Sequence, residues 1–293
     1  METRLPTDTN DHLTAVQTKE SLPMTRTVSG HAHDANHDLH FPKRRLQHVF
    51  ANDGRALIVA MDGARNGPAK GLENPRQAVR NVVAGGADAI LTTPGMAKAT
   101  ADQLRGRGLI IGLDAEDDTS DYGVEASLRF GADAVELKVF PGNPDDTKLA
   151  DLRRLAARCD KWGMPLLGEP IPVSFLDTSA HTLSNIAQAS RIAAEIGCDF
   201  LKVHYAGPVD AYATQVLGPL SIPLLCLGGP SKPDPRDALQ LCFDAMQAGA
   251  SGIVFGRNIV CAEDPARMCE ALAEIIHGGA TVDQAIKHLS THH

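Results

Sequence analysis

Residues 134–170 contain "AVELKVF" (134–140), "TKLADLRRLAARCDKWG" (147–163) and "PLLGEP" (165–170). The first and last are short, apolar and rich in β-branched or leucine residues. The middle one repeats its leucines and alanines at helical spacing and closes on glycine. A strand, a helix ending on Gly163 and a second strand form one β–α–β unit, whose two strands must run parallel.

The same unit recurs in both directions. Strand patterns occur at "ALIVAMD" (56–62), "AILTT" (89–93), "GLIIGLD" (108–114), "FLKVHY" (200–205), "PLLCLGG" (223–229) and "SGIVFGR" (251–257), making eight with the two above. Helix patterns such as "NPRQAVRNVVAGG", "TLSNIAQASRIAAEIG", "DPRDALQLCFDAMQAG" and "DPARMCEALAEIIHGG" lie between or after them, opening on Asn, Asp or Thr and closing on Gly. Eight successive β-then-α units predict a closed (β/α)8 TIM barrel over residues 46–293 rather than an open sheet. Residues 1–45 lack sustained periodicity and large apolar side chains, and read as a flexible polar extension. Its His31, His33, His37 and His40 have no partner cysteines or carboxylates at fixed spacing, so they read as a solvated tract rather than a metal site.

Composition narrows the function. Of 293 residues, 43% are hydrophobic and 22% charged, and the formal net charge is −8. An acidic chain lacks the dominant basic surface that nucleic acid or an anionic membrane requires as main partner. No apolar run approaches the roughly 18 residues of a membrane span, and the six cysteines show no C-x-x-C pair. The expectation is a cytoplasmic protein with reduced, buried cysteines.

In a barrel of this type the chemistry sits at the C-terminal ends of the strands. Alternation along 200–205 sends Phe200, Lys202 and His204 inward and Leu201 and Val203 outward to the helices. A lone inward lysine is open to a bland reading, as an ion pair or a side chain reaching the rim. The other strands argue against it. The same parity turns Glu136 and Lys138 inward on the fourth, Leu167 and Glu169 on the fifth and Asp62 on the first. Four strands thus aim ionisable groups at one mouth, which a purely structural core avoids. Burial and a neighbouring cation are expected to lower the pKa of Lys202, leaving a neutral amine able to form a Schiff base, with Glu169 and Asp62 moving protons. His204 is a further candidate acid or base. Gly228 and Gly229 end the seventh strand, and Gly256 and Arg257 end the eighth, where such barrels commonly hold phosphate.

These motifs carry a resemblance. "MDGARNGPAKGLENP", "CDFLKVHYAG", "LGGPSKPDPRDAL" and "GASGIVFGRNIV" are similar to class I aldolases of the deoxyribose-phosphate, archaeal-type fructose-bisphosphate and tagatose-bisphosphate superfamily, over about residues 50–290. The resemblance implies Lys202 as the Schiff-base lysine, Asp62 as an acid/base or hydroxyl-orienting group, and Gly228, Gly229, Gly256 and Arg257 as the phosphate cradle. Where archaeal-type members carry Asp-His-Gly after the first strand, this chain has Asp62-Gly63-Ala64. Their tyrosine after the fifth strand is replaced within "GEPIPVSF". The Lys138 and Glu169 pair looks more like the tagatose-bisphosphate and sulfofructose-phosphate aldolase branch. The implied activity is metal- and cofactor-independent aldol cleavage or condensation of a phosphorylated ketose or dihydroxyacetone phosphate, by a homo-oligomer. Transaldol or acyl transfer on a phosphorylated ketone, and a weakened barrel that only binds a sugar phosphate for regulation, are the alternatives.

Overall fold

The computed structural model describes residues 43–63, 69–104, 106–113, 123–145 and 147–290. Eight parallel strands close in chain order into a barrel: β1 Ala56–Ala60, β2 Ala89–Thr92, β3 Gly108–Leu113, β4 Ala134–Val139, β5 Leu166–Pro170, β6 Phe200–His204, β7 Leu224–Leu227 and β8 Gly252–Phe255. β8 returns to pair with β1, Val254 opposite Ile58. Closure leaves no unpaired edge. Gly252 makes that seam possible: its φ is 133°, and a Cβ there would lie 2.0 Å from the Ala56 carbonyl oxygen.

Local chemistry starts and stops the helices. Pro75–Ala84, Pro94–Thr100, Pro235–Ala248 and Pro265–Ile276 each begin with proline behind a side-chain cap, from Asn74, Thr93, Asp234 and Asp264. Proline at the first helical position gives up an N–H that would be orphaned anyway, and the cap side chain takes up another. Lys148–Trp162, Leu183–Ile196 and Pro235–Ala248 end on left-handed Gly163, Gly197 and Gly249. The helices after β2, β3 and β6, Pro94–Thr100, Val124–Arg129 and Val209–Tyr212, are too short to have shown a period.

Two apolar layers follow from strand parity. Leu57, Val59, Leu201, Val203 and Cys226 face the helices. Ile58, Leu91, Ile110, Leu167, Phe200, Leu225 and Val254 fill the barrel's interior. The short helix Leu46–Val49 closes its lower end, where Leu46, Val49 and Phe50 join the interior layer and the Phe50 ring meets Phe200 edge-on at 5.6 Å. The plugged bottom and packed lower barrel leave the C-terminal ends of the strands as the approach to the interior among the described residues.

Three aspartates repeat one device at the bottom. Asp88, Asp133 and Asp199 precede β2, β4 and β6, and each accepts the first free N–H of the preceding strand, from Leu57, Leu109 and Leu166. Each also holds a basic partner: His277 at 3.1 Å, His48 at 2.6 Å and Lys43 at 2.8 Å. Lys43 and Arg45 thereby fasten the start of the described chain to the barrel, Arg45 donating to the Ala132 carbonyl. The expected flexible extension, with His31, His33, His37 and His40, otherwise lies outside the described residues. All six cysteines are free, five of them buried. Among the described residues no helix is long and apolar enough to cross a membrane.

Candidate active site

The upper interior layer carries the ionisable groups that parity placed there. On β4 and β5, Lys138 and Glu169 are register partners, one level above Glu136 and Leu167. Lys202 follows Phe200 on β6. Glu169 is 2% exposed and Lys202 7%. Glu169 reaches Lys202 Nζ with Oε1 at 3.0 Å, and its Oε2 lies 3.7 Å from Lys138 Nζ. One carboxylate therefore sits between two lysines.

The electrostatics correct one expectation. Burial does work against the charge on Lys202, but the carboxylates around it, Glu169 foremost and Asp62 with it, attract it strongly enough that its pKa is raised, not lowered. The resting side chain is an ammonium ion. A neighbouring cation and burial are outweighed by the carboxylates on the other side of the balance. Burial likewise opposes the charge on Glu169, yet Lys202 and then Lys138 hold it below the usual carboxylate range.

Asp62 follows β1 at the same end, near enough to contribute to the field at Lys202. His204 ends β6 and is stacked on His181, ring centroids 4.3 Å apart and 25° from parallel. Burial, and then His181, lower its pKa to about 4, so it is neutral at neutral pH. It can accept or pass a proton there but holds none in reserve as an acid.

Two side chains over the mouth were not foreseen. The segment after β5 folds back across the segment after β4, Val173 N–H donating to the Pro141 carbonyl. Val173 takes a left-handed φ of 60°, rare for a β-branched residue. Phe175 then lies with its ring 5.1 Å from Lys138 Nζ and 6.2 Å from His204, while His181 is fixed to the Ser174 carbonyl at 2.8 Å. Their place after the fifth strand, at the chemical end of the barrel, was the available signal.

Gly228 and Gly229 follow β7, and Gly256 and Arg257 follow β8. Asn258 ties these two ends together: its Nδ2 donates to the Gly228 carbonyl at 2.9 Å, and its Oδ1 accepts from Lys232 N–H at 2.8 Å. A side chain at 228 would collide with Asn258 and Phe255, while Gly229 is left-handed, with open space where a Cβ would stand. Arg257 is exposed. The loops thus offer bare amides beside a free-reaching guanidinium, a combination suited to a phosphate. Among the described residues no group of three His, Cys, Asp or Glu side chains could hold a metal ion.

Comparison with known proteins decides the family. Residues 55–262 match the DeoC/LacD family aldolases. The chain belongs to that family. It is 34% identical to an uncharacterized aldolase of Saccharolobus solfataricus, over 83% of this chain and 97% of the relative. It is 32% identical to the 2-amino-3,7-dideoxy-D-threo-hept-6-ulosonate synthase of Halobacterium salinarum, over 83% and 94%. Among solved structures, a Schiff base-forming fructose-1,6-bisphosphate aldolase superposes with a TM-score of 0.70 at 26% identity, covering 80% of this chain and 98% of the other. An archaeal fructose-1,6-bisphosphate aldolase with its catalytic lysine covalently bound to the carbinolamine intermediate gives 0.69 at 26%, covering 79% and 98%. Membership in the DeoC/LacD family agrees with a TIM barrel that carries its polar cluster at the strand ends.

Proposed function

We propose that this protein is a class I aldolase whose Lys202 forms a Schiff base with a phosphorylated ketone. The observation that carries the reading is the contact of the buried Lys202 Nζ with Glu169 Oε1 at 3.0 Å. It gives an ammonium ion a carboxylate to which it can surrender its proton without solvent. The neutral amine then attacks the ketone carbon; the N–C bond forms, the carbonyl π pair moves to oxygen, and a proton passes from the nitrogen to that oxygen to give the neutral carbinolamine. Glu169, now an acid, protonates the carbinolamine hydroxyl. Water leaves and the iminium remains beside the restored carboxylate.

The iminium accepts the electron pair of the bond between its α and β carbons, which becomes the enamine π bond as the β carbon leaves as an aldehyde. Cleavage requires a base for the hydroxyl proton on the departing aldehyde, and Asp62, at the rim of the same mouth, is assigned that role. His204, neutral at the end of β6, suits hydrogen bonding to substrate hydroxyls, with His181 stacked on it. Lys138 supports the Glu169 charge from its other oxygen. The phosphate is assigned to the amides of Gly228, Gly229 and Gly256 with Arg257.

A second reading is favoured by one finding, the 32% identity to a hept-6-ulosonate synthase. In a transaldol reaction the same enamine is kept and passed to a different acceptor aldehyde. The two readings separate in one assay. Fructose 1,6-bisphosphate is incubated with the enzyme, and triose phosphates are measured with and without a panel of added aldehydes. Release of both trioses without an added aldehyde supports aldol cleavage; a new product that appears only with an acceptor supports transfer. No product under either condition, with phosphorylated ketoses of other lengths also inert, would contradict both.

A further inference from the structure

The steps above leave one interior acid unused. Glu136 stands on β4 two residues before Lys138 and is completely buried. Neither of its oxygens, nor Glu169 Oε2, meets an N–H or O–H donor. Yet the two carboxyl groups are neighbours, close enough for each to act on the other. Two carboxylates are both acceptors and repel, and a buried charge without a donor is costly, so the pair is accommodated by one shared proton.

Which group carries it follows from the neighbours. Glu169 has Lys202 at 3.0 Å and Lys138 at 3.7 Å. Glu136 makes no ion pair with either, and its register partner on β3 is Gly112, which has no side chain to offer. The charge therefore belongs on Glu169 and the proton on Glu136.

We propose that Glu136 is a positioning residue acting as a neutral acid: its O–H fixes the Glu169 carboxylate between the two lysines, and its lack of charge limits how firmly Lys202 is held as ammonium. The second part rests on the Schiff-base reading of Lys202. The groups facing Glu136 are Glu169 from β5, Lys202 from β6 and Lys138 from its own strand, with Asp62 acting on Lys202 from the end of β1. Burial and then the Glu169 charge raise the Glu136 carboxyl to about 8. Above that pH a second buried carboxylate appears beside Lys202 and strengthens its hold on the proton. The amine then becomes harder to free over the range where a lysine ordinarily becomes more reactive.

The test compares wild type with Glu136→Gln, which stays uncharged and can donate an N–H to Glu169. Acetic anhydride is the probe, so no substrate need be known. Labelling of Lys202 relative to surface lysines is read by peptide mass spectrometry across about pH 6 to 10. An added neighbouring charge shifts a pKa by roughly 1–3 units, so the wild-type relative rate should fall about tenfold or more across pH 8, and the break should vanish in Glu136→Gln. Superimposable profiles would overturn the proposal. Should Glu136→Gln not fold, infrared spectroscopy of the wild type in D2O decides: a protonated-carboxyl C=O band at pH 7 that is lost around pH 8 supports it, and no such band at pH 7 overturns it. A labelling break together with failure of every ketone to form an adduct would leave the Glu136 assignment standing and defeat the aldolase reading instead.

Discussion

Lys138 and Glu169 face each other directly across β4 and β5, yet the shorter contact of Glu169 is with Lys202 on the next strand, 3.0 Å against 3.7 Å. Glu169 therefore belongs first to Lys202, with Lys138 as a second cation that keeps it ionised. That ranking sets what each substitution should do.

In the proposed mechanism Glu169→Gln removes the acceptor for the Lys202 proton and the acid for dehydration. Losing a general acid/base typically costs about 10²–10⁴-fold in rate, and kcat should fall by that order. The variant also leaves a buried ammonium without its partner, at a cost of roughly 3–5 kcal/mol. Steady-state kinetics together with a melting curve check both effects.

Lys138→Met removes a cation that helps hold the Glu169 pKa down. The proposed mechanism needs Glu169 as a carboxylate in the resting state. Because the folded pKa is depressed, that form is present at higher pH and lost as pH falls through the folded value. Raising this value should move the acid limb of kcat/KM to higher pH. A pH–rate profile with its acid limb unchanged would show that Lys138 does not act on Glu169.

Asn258→Ala cuts both bonds that join the ends of β7 and β8. Leaving a buried partner unsatisfied costs about 1–3 kcal/mol, so the melting temperature should drop. The loops that carry the proposed cradle lose their mutual anchor, and KM for a phosphorylated ketose should rise more than kcat falls. Titration with inorganic phosphate as a competitive inhibitor gives an independent reading, with weaker inhibition expected.

His277 joins Asp53 at 2.7 Å and Asp88 at 3.1 Å beneath the barrel. Burial opposes its charge, but the bonds to Asp88 and Asp53 prevail and raise its pKa above the ordinary 6.5. Its stabilisation is thus fully present below about pH 6.5 and is lost as pH rises through the higher folded value. The melting temperatures of wild type and His277→Ala should differ most near pH 6 and converge as the solution is made alkaline, within the range where both proteins unfold reversibly.

Much of the fold was written in the sequence because strand parity and helix caps are local. The fourth-strand pattern 134–140 became Ala134–Val139, and the eighth, 251–257, became Gly252–Phe255. The surplus residues at the strand tops, Asp62, Gly228, Gly229 and Arg257 among them, lie past the last strand residue. They are residues that the proposed site uses. Parity also told which way Glu136, Lys138, Glu169 and Lys202 point. It could not give their balance of charge, so a neutral resting Lys202 was expected where the three-dimensional sum makes it an ammonium. Phe175, His181 and Asn258 escaped notice for a different reason. Each lies beyond its strand, in a segment with no period, and its partners come from distant parts of the chain.

The most direct measurement is to incubate wild type and Lys202→Met with dihydroxyacetone phosphate or fructose 1,6-bisphosphate in the presence of borohydride, and to weigh the intact proteins by mass spectrometry. The mechanism predicts one reduced ketose adduct on the wild type, placed on Lys202 by peptide mapping, and none on the variant. An adduct of equal yield on both proteins would contradict Lys202 as the Schiff-base residue; the absence of any adduct across a panel of phosphorylated ketones would contradict the Schiff base itself.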